Sequence, residues 1–237
     1  TDGDYGHAIA LDSSGNVYVA DHGNQDVRKF APGVAGWVQV NINGFGDRAN
    51  SSVYSLAPFA GNLYAGTGNW SGAGAQLWRT NSGTDWTPAA TSGLGDPCNG
   101  GIDHLLEFKG QLYAGTYNWC WDVNGSDGGQ IWRSPDGLDW TQVVDGGFGD
   151  PNNGEVFRFA VFGDALYAST WSFTNAHGTE VWRSDTGDSS DWEQVVSNGF
   201  NDDPGNSVVY NFEVLDGYLY AATYNSEAGA EIWRSPT

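Results

Sequence analysis

The sequence predicts an all-β fold, a five-bladed β-propeller made of four-stranded antiparallel blades. One pattern recurs five times along the 237 residues, and the tyrosines that mark it are 46, 49, 54 and 53 residues apart, at Tyr18, Tyr64, Tyr113, Tyr167 and Tyr220. This spacing is close to the period of propeller blades. Turn formers are abundant, with 35 Gly in the chain, and no stretch has the apolar periodicity of an amphipathic helix.

Each repeat contains four short segments with the composition of β-strands, which we call A to D. Strand A is an apolar run, strand B carries Leu-Tyr-Ala as in "NLYAGTGN", strand C carries Trp-Arg as in "QIWRS", and strand D begins with Trp as in "DWTQVV". Gly, Asn and Asp turns between them favour antiparallel hairpins. We expect one propeller domain over residues 1–237, with blades at about 1–43, 44–92, 93–146, 147–198 and 199–237. The inner A strands are expected near 7–12, 53–59, 102–108, 156–162 and 208–214.

The last repeat differs from the others at its end. The chain reaches "EIWRSPT" where a Trp-led D strand is expected, and residues 1–6 lack the pattern that could supply that strand. Either the last blade has three strands or the missing part lies outside this chain. An open strand edge is a template for pairing, so we expect self-association or pairing with another chain there.

Two resemblances support the propeller prediction. The segment "AIALDSSGNVYVADHGNQDVRKF" resembles an NHL repeat through its Asp-x-x-Gly-Asn-x-Tyr-Val-Ala-Asp core. The other repeats resemble those of secreted bacterial and archaeal propellers with Asp-box-like turns, since "SPDGLDW", at 134–140, is one residue shorter than an Asp box. The resemblance implies that this turn is structural. Propellers have many activities, so it leaves the function open.

The charge balance restricts the partners. The chain has 29 acidic and 9 basic residues, a net charge of −20. Such a field repels phosphate backbones and anionic lipids, and no apolar stretch approaches the roughly 20 residues that span a bilayer. We therefore expect neither nucleic acid nor membrane insertion. Glycans or other protein chains are the expected partners.

Aromatic residues that fall outside the repeating pattern indicate a binding face. Eight of the 12 Trp repeat with the strands and are expected to pack between sheets. The other four lie in the loops between strands B and C, close to further rings and amides. Indole faces beside amide groups suit the apolar face and the hydroxyls of a sugar. Alternatively, these rings fill one end of the propeller or support neighbouring loops. The predicted ligand-binding residues are Trp70, Tyr117, Trp119, Trp121, Trp171, Phe173, Tyr224, Asn69, Asn118 and Asn225.

The repeated turn between strands D and A offers oxygen ligands for calcium. Its carboxylates are Asp47, Asp96, Asp150 and Asp202. Asp and Asn also form hydrogen bonds with the backbone of their own turn without an ion. One Asp per blade supplies few of the oxygen ligands that calcium needs. We favour the turn interpretation and expect no cofactor, with calcium as the weaker alternative.

The chain contains two cysteines, Cys98 and Cys120. Cys98 precedes strand A of the third repeat and Cys120 follows strand B, so both lie on the same face. We predict a disulfide that anchors the long loop at 117–129. A structural disulfide implies an oxidising compartment, so the protein is expected to be secreted or attached to the cell surface.

Catalysis is the least favoured function. Five of the seven Arg repeat with strand C, which leaves too few for the arginine cluster of a sialidase, and the four His show no metal spacing. Channel-facing carboxylates such as Asp103 and Glu107 keep a glycosidase-like alternative open. The sequence thus favours non-catalytic glycan binding, followed by a structural or protein-interaction module of a larger surface assembly.

Overall fold

A computed structural model describes residues 6–12, 14–21, 25–33, 36–120, 125–172 and 177–236. In these ranges the chain forms antiparallel β-sheets and three short 3-10 turns, at Asn43–Gly46, Ser92–Gly95 and Gly146–Gly149. The all-β prediction is confirmed. The closure of five blades into one ring stays a prediction.

The strands succeed one another in the expected order A to D. The first group is β1 Gly6–Leu11, β2 Val17–Asp21, β3 Asp26–Phe30 and β4 Val38–Gln39. The second is β5 Asn50–Phe59, β6 Asn62–Asn69, β7 Leu77–Thr80 and β8 Thr87–Ala90. The third is β9 Asn99–Phe108, β10 Gln111–Asn118, β11 Ile131–Ser134 and β12 Thr141–Val144. The fourth is β13 Asn153–Phe162, β14 Ala165–Ser172, β15 Val181–Ser184 and β16 Glu193–Val196. The last described group is β17 Asn206–Leu215, β18 Tyr218–Asn225 and β19 Glu231–Arg234.

The chain divides into two compact units, and the division passes through the third strand group. The first unit comprises Thr1–Ala114, Cys120–Val123 and Arg133–Trp140, and the second comprises Gly115–Trp119, Asn124–Trp132 and Thr141–Thr237. The single-domain boundary over 1–237 stays a prediction.

Buried tyrosines of strand B connect successive repeats within the first unit. The hydroxyl of Tyr64 donates to the backbone oxygen of Asp136, 3.1 Å away, in the turn of the next repeat. Tyr18 packs against Gly83 of the next repeat, where any side chain would collide with the tyrosine hydroxyl. Gly83 also has a φ of +80°, which favours glycine. The recurring Tyr and Gly therefore fix one repeat against the next.

In the second and fourth strand groups, the tryptophans of strands C and D pack around the aromatic residue of the turn that precedes the sheet. Phe45 stacks on Trp78 with ring centres 5.0 Å apart and meets Trp86 edge-on at 5.4 Å. Phe148 stacks on Trp182 at 4.5 Å and meets Trp192 edge-on at 5.5 Å. These contacts explain why both tryptophans recur.

The tryptophan of the first strand D departs from this packing. Trp37 is 49% exposed and contacts Phe30 at 5.7 Å. The strand it precedes, β4, has only two residues, so little sheet is available to cover the ring.

Candidate functional site

Strands β5, β13 and β17 contain the same β-bulge. The pairing register shifts between Val53 and Ser55 in β5, between Val156 and Arg158 in β13, and between Val209 and Asn211 in β17. A bulge inserts one extra residue and redirects its side chain. The residue inserted at each of these bulges is aromatic: Tyr54, Phe157 and Tyr210.

In the second unit the bulged rings join a continuous row of aromatic side chains. Phe157 meets Trp171 and Tyr210 edge-on, each with ring centres 5.8 Å apart. Tyr210 in turn meets Tyr224 at 6.2 Å and 89°. Edge-to-face contacts of this kind are favourable for aromatic pairs. Tyr210 and Tyr224 are 49% and 47% exposed, so this row, hereafter the aromatic row, presents two half-exposed tyrosine rings.

Arg158 fixes the centre of the aromatic row. Its guanidinium lies 3.8 Å from the centre of the Phe157 ring, a cation–π contact. Its Nη1 donates to the backbone oxygen of Phe157 at 2.7 Å and its Nε donates to that of Tyr210 at 3.1 Å. The side chain therefore ties β13 to β17 where the bulged rings meet.

Polar side chains accompany the row. Asn211 is exposed directly after Tyr210 in β17. Glu155 is buried and stands opposite Trp171 in the β13–β14 ladder and opposite Tyr117 in the β10–β13 pair. Tyr117, one of the predicted ligand-binding residues, is half-buried there. The arrangement combines exposed ring faces with hydrogen-bonding groups on strands.

The first unit has a smaller aromatic pair of its own. Tyr54 meets Trp70 edge-on with ring centres 6.5 Å apart. Gly68 occupies in β6 the position that Trp171 has in β14, and the Tyr54 ring fills the space that a side chain there would need. Trp70 covers Gly100, where an added Cβ would stand 2.7 Å from Cζ3 of the indole. Trp70 is half-buried as a result.

The predicted ligand-binding asparagines are buried and hold the loop after strand B. Asn69 donates to Asn50 at 3.0 Å and accepts from the backbone of Ser71 at 3.1 Å. Asn118 accepts from the backbone of Asp127 at 3.0 Å. Asn225 donates to Asp203 at 3.0 Å and accepts from two backbone groups of its own turn. Their amides shape the loops and lie beneath the surface.

The third loop between strands B and C is anchored as predicted. Cys98 and Cys120 form a disulfide with their Cα atoms 4.6 Å apart. Trp119, which precedes Cys120 in the chain, is half-buried. The predicted residues Trp121 and Phe173 lie outside the described residues.

The carboxylates proposed for calcium are engaged in their own turns. Asp47, Asp96 and Asp150 each accept the backbone N–H two residues ahead, at 2.9 Å. In the fourth turn, which is one residue longer, Asp203 accepts the backbone N–H of Gly205 at 2.9 Å. The predicted residue Asp202 does not take part in this bond and is exposed. No group of three or more His, Cys, Asp or Glu suited to a metal occurs in the part of the chain that the structure describes.

A polar cleft of about 600 Å³ lies in the first unit, and Asp12, Asn16, Lys29 and Glu107 are among the residues that line it. Burial raises the pKa of the Asp12 carboxyl, but hydrogen bonds from Asn16, Ser14 and Tyr18 outweigh it, so the pKa lies below its ordinary value. Asp12 is thus held ionised by its own turn, an arrangement that suits a structural carboxylate.

Comparisons with known proteins agree with this architecture. An NHL repeat model matches residues 7–30, and no curated protein matches the chain. Virginiamycin B lyase from Staphylococcus aureus superimposes with a TM-score of 0.65 at 12% identity, over 100% of this chain and 72% of that one. The chain thus shares its fold with β-propeller proteins.

Two further solved structures have the same kind of fold as these propeller repeats. An endo-arabinase from Bacteroides thetaiotaomicron matches with a TM-score of 0.54 at 12% identity, over 100% of this chain and 95% of that one. A GH74 xyloglucanase from Xanthomonas campestris matches with a TM-score of 0.56 at 16% identity, over 97% of this chain and 38% of that one. Identities this low support the fold alone.

The aromatic row contains residues that the sequence pattern did not single out. Phe157 and Tyr210 belong, by that pattern, only to apolar inner strands. The available signal is an aromatic residue four positions after the Asn that opens strand A, in "NSSVY", "NGEVF" and "NSVVY".

Among the described residues, no helix has the length and apolar character needed to cross a bilayer.

Proposed function

We propose that this chain is a non-catalytic, extracellular ligand-binding propeller of five blades whose aromatic row binds a glycan. The observation that carries this proposal is the row itself, in which Tyr210 and Tyr224 are half-exposed and meet edge-on at 6.2 Å. Half-exposed rings in a defined array are typical of binding surfaces. The disulfide between Cys98 and Cys120 supports an extracellular location.

The chemistry of the row suits a sugar. The C–H face of a pyranose packs against an exposed tyrosine ring, and the sugar hydroxyls bind amide and guanidinium groups. Asn211 and Arg158 supply such groups beside Tyr210. Because Arg158 is already bonded to two backbone oxygens, little side-chain entropy is lost when a ligand binds.

Solved structures that superimpose on this chain include enzymes, such as the endo-arabinase and the xyloglucanase at 12% and 16% identity. Fold likeness at that level transfers no activity. The second candidate is a protein-interaction module of a larger surface assembly, which the half-exposed rings of Tyr210 and Tyr224 also suit, because aromatic residues are enriched at protein interfaces. Glycan binding comes first because the exposed rings and polar groups occur together on rigid strands.

The test is a glycan array followed by calorimetry with the glycans that bind. Tyr210→Ala and Tyr224→Ala should each weaken binding about tenfold, because a stacked ring contributes about 1–1.5 kcal/mol. Trp37→Ala is the matched control, since Trp37 is equally exposed at 49% and lies off the row. The absence of binding to any glycan, or equal affinity of wild type and both tyrosine variants, would overturn the proposed function.

A further inference from the structure

The polar cleft of the first unit is bounded by a turn that is longer in the first strand group than in the others. Residues 12–16 connect β1 to β2, whereas residues 60–61 connect β5 to β6 and residues 109–110 connect β9 to β10. Side chains of the longer turn, of the β5–β6 turn and of the segment 80–83 line the cleft together. Its volume of about 600 Å³ is in the range of small-molecule sites.

Lys29 contributes a cation to this cleft. It lies in β3 opposite Tyr18 of β2, and its ammonium is 5.4 Å from the centre of the Tyr18 ring. The side chain is half-buried, and among the described residues no carboxylate forms an ion pair with it. Because the chain has 29 acidic and only 9 basic residues, an ammonium without an acidic partner is unexpected. Its charge is available to an anionic group of a ligand.

Glu107 contributes an anion to the same cleft. It is exposed near the end of β9, and it too forms no ion pair within the part of the chain that the structure describes. Lys29 and Glu107 therefore present opposite charges to one cleft without neutralising each other. The remaining charged residue of the lining is Asp12, whose carboxylate already accepts hydrogen bonds from Asn16 at 2.6 Å and from Tyr18 at 3.2 Å.

A ligand with charges of both signs suits this pair best. A ligand with a single charge would be attracted by one of the two residues and repelled by the other, whereas a zwitterion pairs with both. A zwitterion also has no net charge, so the field of a chain with a net charge of −20 does not oppose its approach.

Neutral groups extend the site around the two charges. The hydroxyl of Ser14 and the amide of Asn81 are exposed and line the cleft, and both can donate to and accept from a peptide bond. Pro58 and Phe59 add apolar surface to the same lining. A carboxylate, an ammonium and amide groups joined by short apolar segments are the features of amino acids and short peptides.

We propose that the polar cleft binds a small zwitterion, an amino acid or a short peptide with free termini. Its carboxylate pairs with the Lys29 ammonium and its ammonium pairs with the Glu107 carboxylate. The cleft belongs to the first unit and the aromatic row to the second, so this binding does not depend on glycan binding.

The first test is calorimetry of the 237-residue chain with glycine, diglycine and triglycine at low ionic strength. At least one of them should bind saturably, and the length that binds best separates a site for amino acids from a site for peptides. The N-acetylated form and the C-terminal amide of that ligand each lack one charge, and each should bind about three- to tenfold more weakly. Absence of saturable binding of all three, or equal binding of the free and blocked forms, would overturn the proposal.

The second test assigns each charge of the ligand to its residue. Lys29→Met should remove the discrimination against the C-terminal amide and keep the discrimination against the N-acetylated form, and Glu107→Gln should do the reverse. Lys29→Arg keeps the cation and should retain both. Lys109→Met is the matched control, since Lys109 lies over the Phe108 ring and outside the cleft lining, and it should bind like wild type. The proposal is wrong if Lys29→Met discriminates as Lys109→Met does, or if Lys29→Met and Glu107→Gln lose the same discrimination.

Discussion

Asn153 illustrates how single residues hold each repeat together. Its Nδ2 donates to the backbone oxygen of Gly147 at 3.0 Å and to the Glu180 carboxylate at 2.8 Å. Its Oδ1 accepts from the Thr170 hydroxyl at 3.0 Å. The residue is buried, so one amide joins the turn before the sheet to strands β13 and β14 and to the residue just before β15.

Asn153→Ala should lower the free energy of unfolding by about 2–4 kcal/mol, because buried partners lose their hydrogen bonds and a charged acceptor is among them. Asn152→Ala is the matched control, since the bonds that Asn152 makes to described residues stay within its own turn, to Asp150. This substitution should cost less than about 1 kcal/mol. Urea unfolding measures both. Equal destabilisation by the two substitutions would contradict the structural role of Asn153.

Asp136 makes the stability of the fold depend on pH in the acidic range. Hydrogen bonds from the backbone of Asp139 and Leu138 hold the pKa of its carboxyl below the ordinary value. A carboxyl whose folded-state pKa is depressed stabilises the fold above its unfolded pKa, and this contribution disappears as pH falls through the folded-state pKa. Asp136→Asn should therefore lower Tm at pH 7, and the difference from wild type should shrink below about pH 4. A Tm difference between wild type and Asp136→Asn that stays the same at every pH would contradict this prediction.

Side-chain direction limits what the sequence could predict at this scale. The disulfide was predictable because strand order places Cys98 and Cys120 at the same ends of neighbouring strands, and it is confirmed. The sequence did not allow us to predict the buried orientation of Asn69 or the exposed position of Tyr210. A β-bulge inserts one residue and changes which face the following side chains occupy, and nothing in the alternation of apolar residues marks where it occurs.

At the scale of elements, the β-bulges of the inner strands create the candidate site, because they bring aromatic rings of neighbouring strands into contact. β13 and β17 each place one ring at the same register position, and Arg158 connects them. Strand order and approximate bounds were predictable from the repeat, because turn residues and Leu-Tyr-Ala patterns recur at fixed offsets. The contact between rings of successive inner strands required the packed structure.

The disulfide also acts at the scale of elements, because it joins the turn before β9 to the segment after β10. Cys98→Ala with Cys120→Ala should lower the free energy of unfolding by about 2–4 kcal/mol, because the bridge closes a loop with a sequence separation of 22. Guanidinium unfolding with and without reductant measures this. A reduced wild type as stable as the oxidised one would contradict it.

At the scale of the whole molecule, the net charge of −20 and the Asp-containing turns raise the question of cations. The turn carboxylates already accept backbone N–H groups at 2.9 Å, so no ion is needed to satisfy them. Calcium at millimolar concentration should raise Tm no more than magnesium at equal ionic strength, and EDTA should leave Tm unchanged. A selective calcium effect that disappears in Asp150→Ala would show that these turns bind the ion.

Glycan contact with the aromatic row is tested most directly by saturation-transfer NMR on the array-selected glycan. Irradiation of aromatic protons should transfer magnetisation to the C–H protons on one face of a sugar ring, because that face packs against Tyr210 and Tyr224. The transfer should be lost in the Tyr210→Ala, Tyr224→Ala double variant and kept in Trp37→Ala. Transfer that persists undiminished in the double variant would show that the glycan binds elsewhere, and the aromatic row would then have no role in binding.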